Sequence, residues 1–103
     1  MNTNKELTVI EAQELMESND NLQLLDVRST EEFAKKSLPG YTNLPLADLS
    51  HAMPQLEGKK RTLLLCSDGT QSLQAQQLLD ACGFETQIIR GGLRDWVEIF
   101  EAV

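Results

Sequence analysis

Cys66 is the residue of this chain best placed to do chemistry. It closes the apolar run Thr62-Leu63-Leu64-Leu65-Cys66 and opens a polar loop, Ser67-Asp68-Gly69-Thr70-Gln71-Ser72. An amphipathic stretch follows directly. A thiol at a strand end, then a tight loop, then a helix start is a place where a thiolate can be made and used. Loop N–H groups and the positive end of the helix dipole both favour negative charge on the sulfur, so no histidine base is required. Gly69 suits a loop that turns sharply or shows bare backbone to the sulfur. Thr70 and Ser72 offer hydroxyls, either to an anionic ligand or as caps of the following helix. A lone cysteine at a strand end is otherwise packing; the loop chemistry argues against that reading here.

The other reactive side chains read more simply. Arg28 and Asp26 follow a strand end. Arg28 either orients an anionic ligand near the site or forms a structural ion pair that fixes its loop. The ion pair is the preferred reading, more strongly for Asp26. Cys82 lies on the apolar stripe of a helix and is expected to be buried packing rather than a resolving thiol. His51 is expected on a short solvent-facing helix. Trp96, at helical spacing with Leu93 and Phe100, reads as core. Arg90 and Arg94 flank Gly91-Gly92 and either add positive field near the pocket or form a solvated face. Glu31 and Glu32 are favourable charge at a helix N-terminus, not an acid/base dyad.

The elements that must hold Cys66 alternate between strand and helix signals. Leu7–Val9 is a short strand, and Thr8 with Glu11 is a capping box. Ala12, Leu15 and Met16 then mark a helix over about 10–17. Leu22–Val27 is a buried strand. Ser29 with Glu32 is a second capping box, opening a short helix through about Lys36, which Leu38-Pro39-Gly40 breaks. Thr42–Leu44 is a brief strand. A short helix over about 47–53 stops before Pro54, which disfavours helix in the residue ahead of it. After the Thr62–Cys66 strand, a helix over about 71–82 carries Ala75, Leu78, Leu79 and Cys82, and Gly83 terminates it. Glu85–Ile89 is the last strand. Gly91-Gly92 turns into a helix with the stripe Leu93, Trp96, Val97 and Phe100. Such alternation means right-handed βαβ units and a parallel sheet covered on both faces. Ligands in such folds bind beyond the carboxyl ends of the strands, where Cys66 stands.

Composition narrows the function classes. The 103 residues, 41% hydrophobic and 24% charged, are expected to form one domain over 1–103. A net charge of −7 argues against nucleic acid or an anionic membrane as partner. Two cysteines make no disulfide framework. With no apolar signal region and no membrane-length run, a reducing, cytoplasmic setting is expected. One histidine and no CxxC leave no metal site, and no cofactor is implied.

Three segments in order make the chain resemble a single-domain rhodanese, a sulfurtransferase. They are Leu24-Leu25-Asp26-Val27-Arg28-Ser29-Thr30-Glu31-Glu32-Phe33, then Leu64-Leu65-Cys66-x-x-Gly69, then Gly91-Gly92-Leu93-Arg94-Asp95-Trp96. Leu38-Pro39-Gly40 and Asn43-Leu44-Pro45-Leu46 fit between the first two, so the likeness covers nearly the whole chain. It implies an α/β fold with a five-stranded, mostly parallel sheet and helices on both faces. It implies ping-pong transfer of a sulfane sulfur through a Cys66 persulfide. The donor would be a small anion, thiosulfate or mercaptopyruvate, and the acceptor cyanide, a thiol or a protein. On this reading Ser67, Asp68, Gly69, Thr70, Gln71 and Ser72, with Arg28, bind the substrate.

The loop departs from the family pattern at two points. Many members carry a basic residue where this chain has Gln71, and Asp68 adds a negative charge that repels an anionic donor. The change gives weight to mercaptopyruvate or a protein persulfide as donor. A related phosphatase branch needs C-x5-R, and position 72 is Ser, so the guanidinium clamp for phosphate is missing. Two other functions compete: a rhodanese-like binding module with little turnover, and a persulfide relay fed only by another protein.

Overall fold

The structure, a computed structural model, describes residues 4–101. Five strands form one sheet in the order β1-β5-β4-β2-β3: β1 Glu6–Leu7, β2 Leu22–Asp26, β3 Thr42–Asn43, β4 Arg61–Leu65 and β5 Thr86–Ile89. Every pairing is parallel, and β4 lies at the centre, with Leu25 beside Leu64 and Leu64 beside Ile88. Five α-helices cross over between or after the strands: α1 Val9–Ser18, α2 Thr30–Lys35, α3 Leu49–Ala52, α4 Thr70–Ala81 and α5 Gly92–Phe100.

Side chains alternate between faces along each strand, so the sheet builds two cores. Leu63 and Leu65 of β4 join Ile89, Leu7, Ala12, Leu93 and Trp96 on the α1/α5 face. Leu64 and Cys66 point the other way and pack with Leu25, Val27, Leu49, Ala75 and Leu79 on the α3/α4 face. That alternation puts the Cys66 thiol under α4.

Both capping boxes form. The Thr8 hydroxyl accepts from the Glu11 N–H, and the Ser29 hydroxyl from the Glu32 N–H. Boundaries move where capping wins over strand propensity: Thr8 is the N-cap of α1 and Val9 its first residue, so β1 ends at Leu7. The expected 47–53 helix is three short pieces. A 3-10 turn spans Leu46–Asp48, then comes α3, then a second 3-10 turn at Met53–Gln55. Pro54 sits in the first turn of that last piece, where its missing N–H costs nothing.

Cys82 is a correction: it is exposed rather than buried packing. The C-terminus of α4 forms a Schellman motif, with Gly83 at φ +90°, Gly83 N–H donating to Asp80 and Phe84 N–H to Leu79. The turn brings Phe84 back onto the second core, which covers the end of the stripe and leaves the helix cap outside. Leu78, on the same expected stripe, is 41% exposed, and Phe100 at the end of α5 is 42% exposed.

Candidate active site

Cys66 immediately follows the central strand, at the carboxyl edge of the sheet, and is fully buried. Two backbone donors converge on its sulfur. The Gly69 N–H lies 3.0 Å from Sγ and the Ser72 N–H 3.3 Å. Gly69 is the N-cap of α4 at φ +99°, a left-handed conformation in which glycine carries no steric penalty. Both donors belong to the N-terminal turn of a 12-residue helix, so the dipole adds to them. Negative charge on Sγ is favoured by direct hydrogen bonds and by the field of the helix.

The loop takes this shape because its outer side is held. Leu93 N–H donates to the Cys66 carbonyl at 2.8 Å, and Arg94 N–H to the Ser67 carbonyl at 3.0 Å. The first turn of α5 thus takes up the loop carbonyls, while loop N–H groups face the sulfur. Gly92 makes the approach possible: a Cβ there would stand 2.3 Å from the Cys66 carbonyl oxygen. Gly91-Gly92 read as a plain turn in the sequence; its role in seating the loop emerges only from the packing. The spacing of Gly91-Gly92 before Trp96 was the available signal.

The remaining expected site residues separate into two groups. Ser72 is fully buried beside Cys66, and its Oγ has no hydrogen-bond partner among the described residues. It caps nothing. Thr70 donates its hydroxyl to Asp68 Oδ1 at 2.7 Å, and its N–H to the same oxygen at 3.0 Å. Asp68 therefore serves as the side-chain cap that Gly69 lacks. Those two bonds, the hydroxyl first, hold the Asp68 carboxyl below the usual carboxylate range, helped by the Arg94 charge. Ser67 donates its hydroxyl to Glu32 Oε2 at 3.1 Å. Glu32 is also held below the usual range, chiefly by the Ser29 backbone N–H and then by the Ser67 and Ser29 hydroxyls. Gln71 is exposed. Two fixed negative charges thus adjoin the loop, Asp68 on it and Glu32 of α2 hydrogen-bonded to Ser67, a link that no local sequence pattern showed.

Arg28 has the geometry of the structural ion pair. It is 4% exposed, and Asp26 is fully buried. Its Nε donates to Asp26 Oδ1 at 3.0 Å and its Nη2 to Asp26 Oδ2 at 2.7 Å. Nη2 also donates to the Lys36 carbonyl. Asn43 of β3, read from sequence only as part of a brief strand, ties the same corner by donating to the Asp26 and Arg28 carbonyls. A guanidinium so engaged holds the β2–α2 connection and has little left for a donor anion.

Beside the loop, Ser67, Leu93, Arg94 and Val97 line an open, mostly apolar depression of about 360 Å³. Arg94 is thus beside the loop, whereas Arg90 pairs with Glu6 on β1. His51 is exposed on α3, and Trp96 is core. Among the described residues no cluster of His, Cys, Asp or Glu could hold a metal ion, and no helix is long and apolar enough to cross a membrane.

Comparison with known proteins identifies the family and the fold. Residues 8–99 match the rhodanese-like domain. The chain is 30% identical over 92 residues to the putative sulfurtransferase YtwF of Bacillus subtilis, covering 89% of each. It is 32% identical over 92 residues to the human thiosulfate:glutathione sulfurtransferase, covering 74% of this chain and 79% of that one. Among solved structures, human single domain sulfurtransferase TSTD1 superposes with a TM-score of 0.83 at 27% identity, covering 94% of this chain and 98% of that one. A rhodanese-related protein of Thermoplasma volcanium superposes at 0.84 and 24% identity, covering 91% of each, and shares the fold. With the sheet order, the thiol at the end of its central strand and a family match over most of its length, this chain belongs to the rhodanese-like family of sulfurtransferases.

Proposed function

We propose that this chain moves a sulfane sulfur from a donor to a thiophilic acceptor through a Cys66 persulfide. The observation that supports this most is the pair of N–H donors, Gly69 and Ser72, directed at a buried Sγ at the N-terminus of α4. In the loading half-reaction the Cys66 thiolate forms an S–S bond to the outer sulfur of the donor. The donor's own bond to that sulfur breaks, and its electron pair leaves with the remainder: sulfite from thiosulfate, pyruvate enolate from mercaptopyruvate. In the unloading half-reaction a nucleophile such as cyanide or a thiolate takes the outer sulfur, and the electron pair returns to Cys66. The N–H donors serve both charged states, since each step begins and ends with an anion inside the same loop. The whole 103 residues act as one domain, and two unpaired thiols suit a reducing setting such as the cytoplasm.

Asp68 and Glu32 favour a second reading, in which the donor is a persulfide on another protein. Two fixed carboxylates at the loop oppose a small dianion by repulsion. Relatives include the putative sulfur carrier protein YrkF of Bacillus subtilis, 30% identical over 82 residues, which make up 44% of that protein. Intact mass after incubation with thiosulfate, and separately with mercaptopyruvate, tests the two readings beside a Cys66→Ser control. A species one sulfur heavier, absent from the control, establishes the carrier and its donor. No added sulfur in a folded protein with a free thiol moves the assignment to the protein-fed relay or to a binding module.

A further inference from the structure

We propose that the Ser72 hydroxyl is a positioning group reserved for the outer sulfur of the loaded site. The inference rests on the Cys66 persulfide reading. Ser72 is fully buried, and its Oγ is the one buried side-chain polar atom among the described residues without a hydrogen-bond partner. Buried polar groups are nearly always paired, and an unpaired one costs its full desolvation. Nothing in the helix requires a serine here: Gly69 is the N-cap, Asp68 supplies the side-chain cap, and Ser72 already lies inside the first turn. Alanine would serve the helix better.

The location explains the choice. The Ser72 backbone N–H is 3.3 Å from Cys66 Sγ, and Oγ is three bonds from that nitrogen. Oγ makes no bond to Sγ itself. Loading lengthens the side chain by one S–S bond, about 2 Å, and moves the negative charge outward to the added sulfur. A donor unpaired in the thiol form then gains an anionic acceptor. Loading with tetrasulfide is balanced in the same way: the Cys66 thiolate bonds to a terminal sulfur, and trisulfide leaves with the electron pair of the broken S–S bond. Unloading by cyanide releases thiocyanate and restores the thiolate. In the loaded state Ser72 adds a third donor beside the N–H groups of Gly69 and Ser72, and it makes no such bond in the empty state.

The test compares wild-type Ser72 with Ser72→Ala, both in a Cys82→Ser background so that a single thiol takes sulfur. Each is melted as the reduced thiol and after loading with sodium tetrasulfide, and persulfide loss to cyanide is followed by intact mass. In the thiol form Ser72→Ala is expected to melt at or above the serine protein, because an unpaired buried hydroxyl has been removed. Loading should raise the melting temperature more with serine than with alanine. The alanine persulfide should disappear about tenfold faster, as the loss of one hydrogen bond to a charged group implies. Equal loading shifts and equal lifetimes in two folded proteins would overturn the role of Ser72 while leaving the persulfide reading intact. A Ser72→Ala thiol form that melts well below the serine protein would show that the hydroxyl is already satisfied, by a trapped water for example, and would overturn it too. Failure of the serine protein itself to gain sulfur would remove the persulfide reading and this inference with it.

Discussion

Gly92 lies against the backbone of Cys66 so closely that a Cβ would stand 2.3 Å from the Cys66 carbonyl oxygen and 2.7 Å from the Ser67 carbonyl carbon. The same carbonyl accepts the Leu93 N–H at 2.8 Å. Neighbouring backbone atoms cannot give way as a flexible side chain would. Gly92→Ala must push the loop outward and also hold alanine at φ +59°. Overpacking costs about 1–3 kcal/mol, and the left-handed conformation adds about 1–2 kcal/mol. Gly83→Ala is the control: it shares a positive φ of +90° but meets nothing within 4 Å. Gly92→Ala should therefore lose more thermal stability than Gly83→Ala, and sulfur loading of Cys66 should fall at least about tenfold, since misplaced N–H donors lose their hold on the sulfur. Wild-type loading by Gly92→Ala would show that the contact does not shape the site.

Arg28 and Asp26 give a second expectation, opposite for the two readings of Arg28. Breaking a buried ion pair by removing one partner leaves the other charge uncompensated, at about 3–5 kcal/mol. Urea unfolding of Arg28→Ala should show a loss of that size. The double variant Arg28→Met, Asp26→Leu should recover part of it, since no lone charge remains buried. A group that binds the donor would behave differently, with stability nearly unchanged and the KM for the donor raised.

The pattern of apolar runs, capping boxes and glycines made much of this fold legible. Thr62–Cys66 read as a buried strand because five residues of apolar and β-branched character run up to a polar loop, and the alternation that turns Cys66 towards α4 follows from the same period. Ser29/Glu32 and Thr8/Glu11 marked helix starts because a capping box is a local device. What stayed hidden was non-local. Glu32 reaches Ser67 across 35 positions in sequence, and no spacing rule joins a capping residue to a distant loop. Cys82 had the right spacing for the core, but the Schellman turn at Gly83 placed Phe84 there instead. Ser72 was legible as a hydroxyl near the thiol, yet its lack of a partner could only be known once the loop carbonyls, Asp68 and Thr70 had found theirs.

Cys82, exposed at the end of α4, should be dispensable. Cys82→Ser removes no buried contact, so its stability should stay within about 0.5 kcal/mol of wild type, and loading and unloading of Cys66 should be unchanged. Loss of sulfur transfer in Cys82→Ser would make it a resolving thiol after all.

Asp68 sets a charge test on the donor. Asp68→Asn keeps an oxygen for Thr70 and so preserves the turn, but removes one negative charge at the loop. Gln71→Arg adds a positive charge at an exposed position. Each should raise kcat/KM for dianionic thiosulfate about three- to tenfold at low ionic strength, the range given by exposed charges some 6 Å apart before and after screening. The gain should shrink as salt is added. A neutral donor should respond to neither change. No gain for thiosulfate at low salt would show that loop charge does not limit it.

The pH dependence of that gain follows from the direction in which Asp68 and Glu32 are shifted. Both carboxyls are held below their ordinary range, by Thr70 in one case and chiefly by the Ser29 N–H in the other. A depressed carboxyl stabilises the fold above its unfolded pKa, near 4, and loses that contribution only as pH falls through the lower folded value. Both groups therefore stay charged at pH 5, and acidification from pH 7 to 5 cannot imitate Asp68→Asn. The ratio of thiosulfate kcat/KM between Asp68→Asn and wild type isolates this effect, because every pH-dependent step that Asp68 does not touch is common to both proteins and cancels. That ratio should stay constant from pH 7 to 5 and approach one only below about pH 4. A ratio that closes already by pH 5 would mean that the Asp68 carboxyl is raised rather than lowered, and that Thr70 does not hold it as the geometry requires.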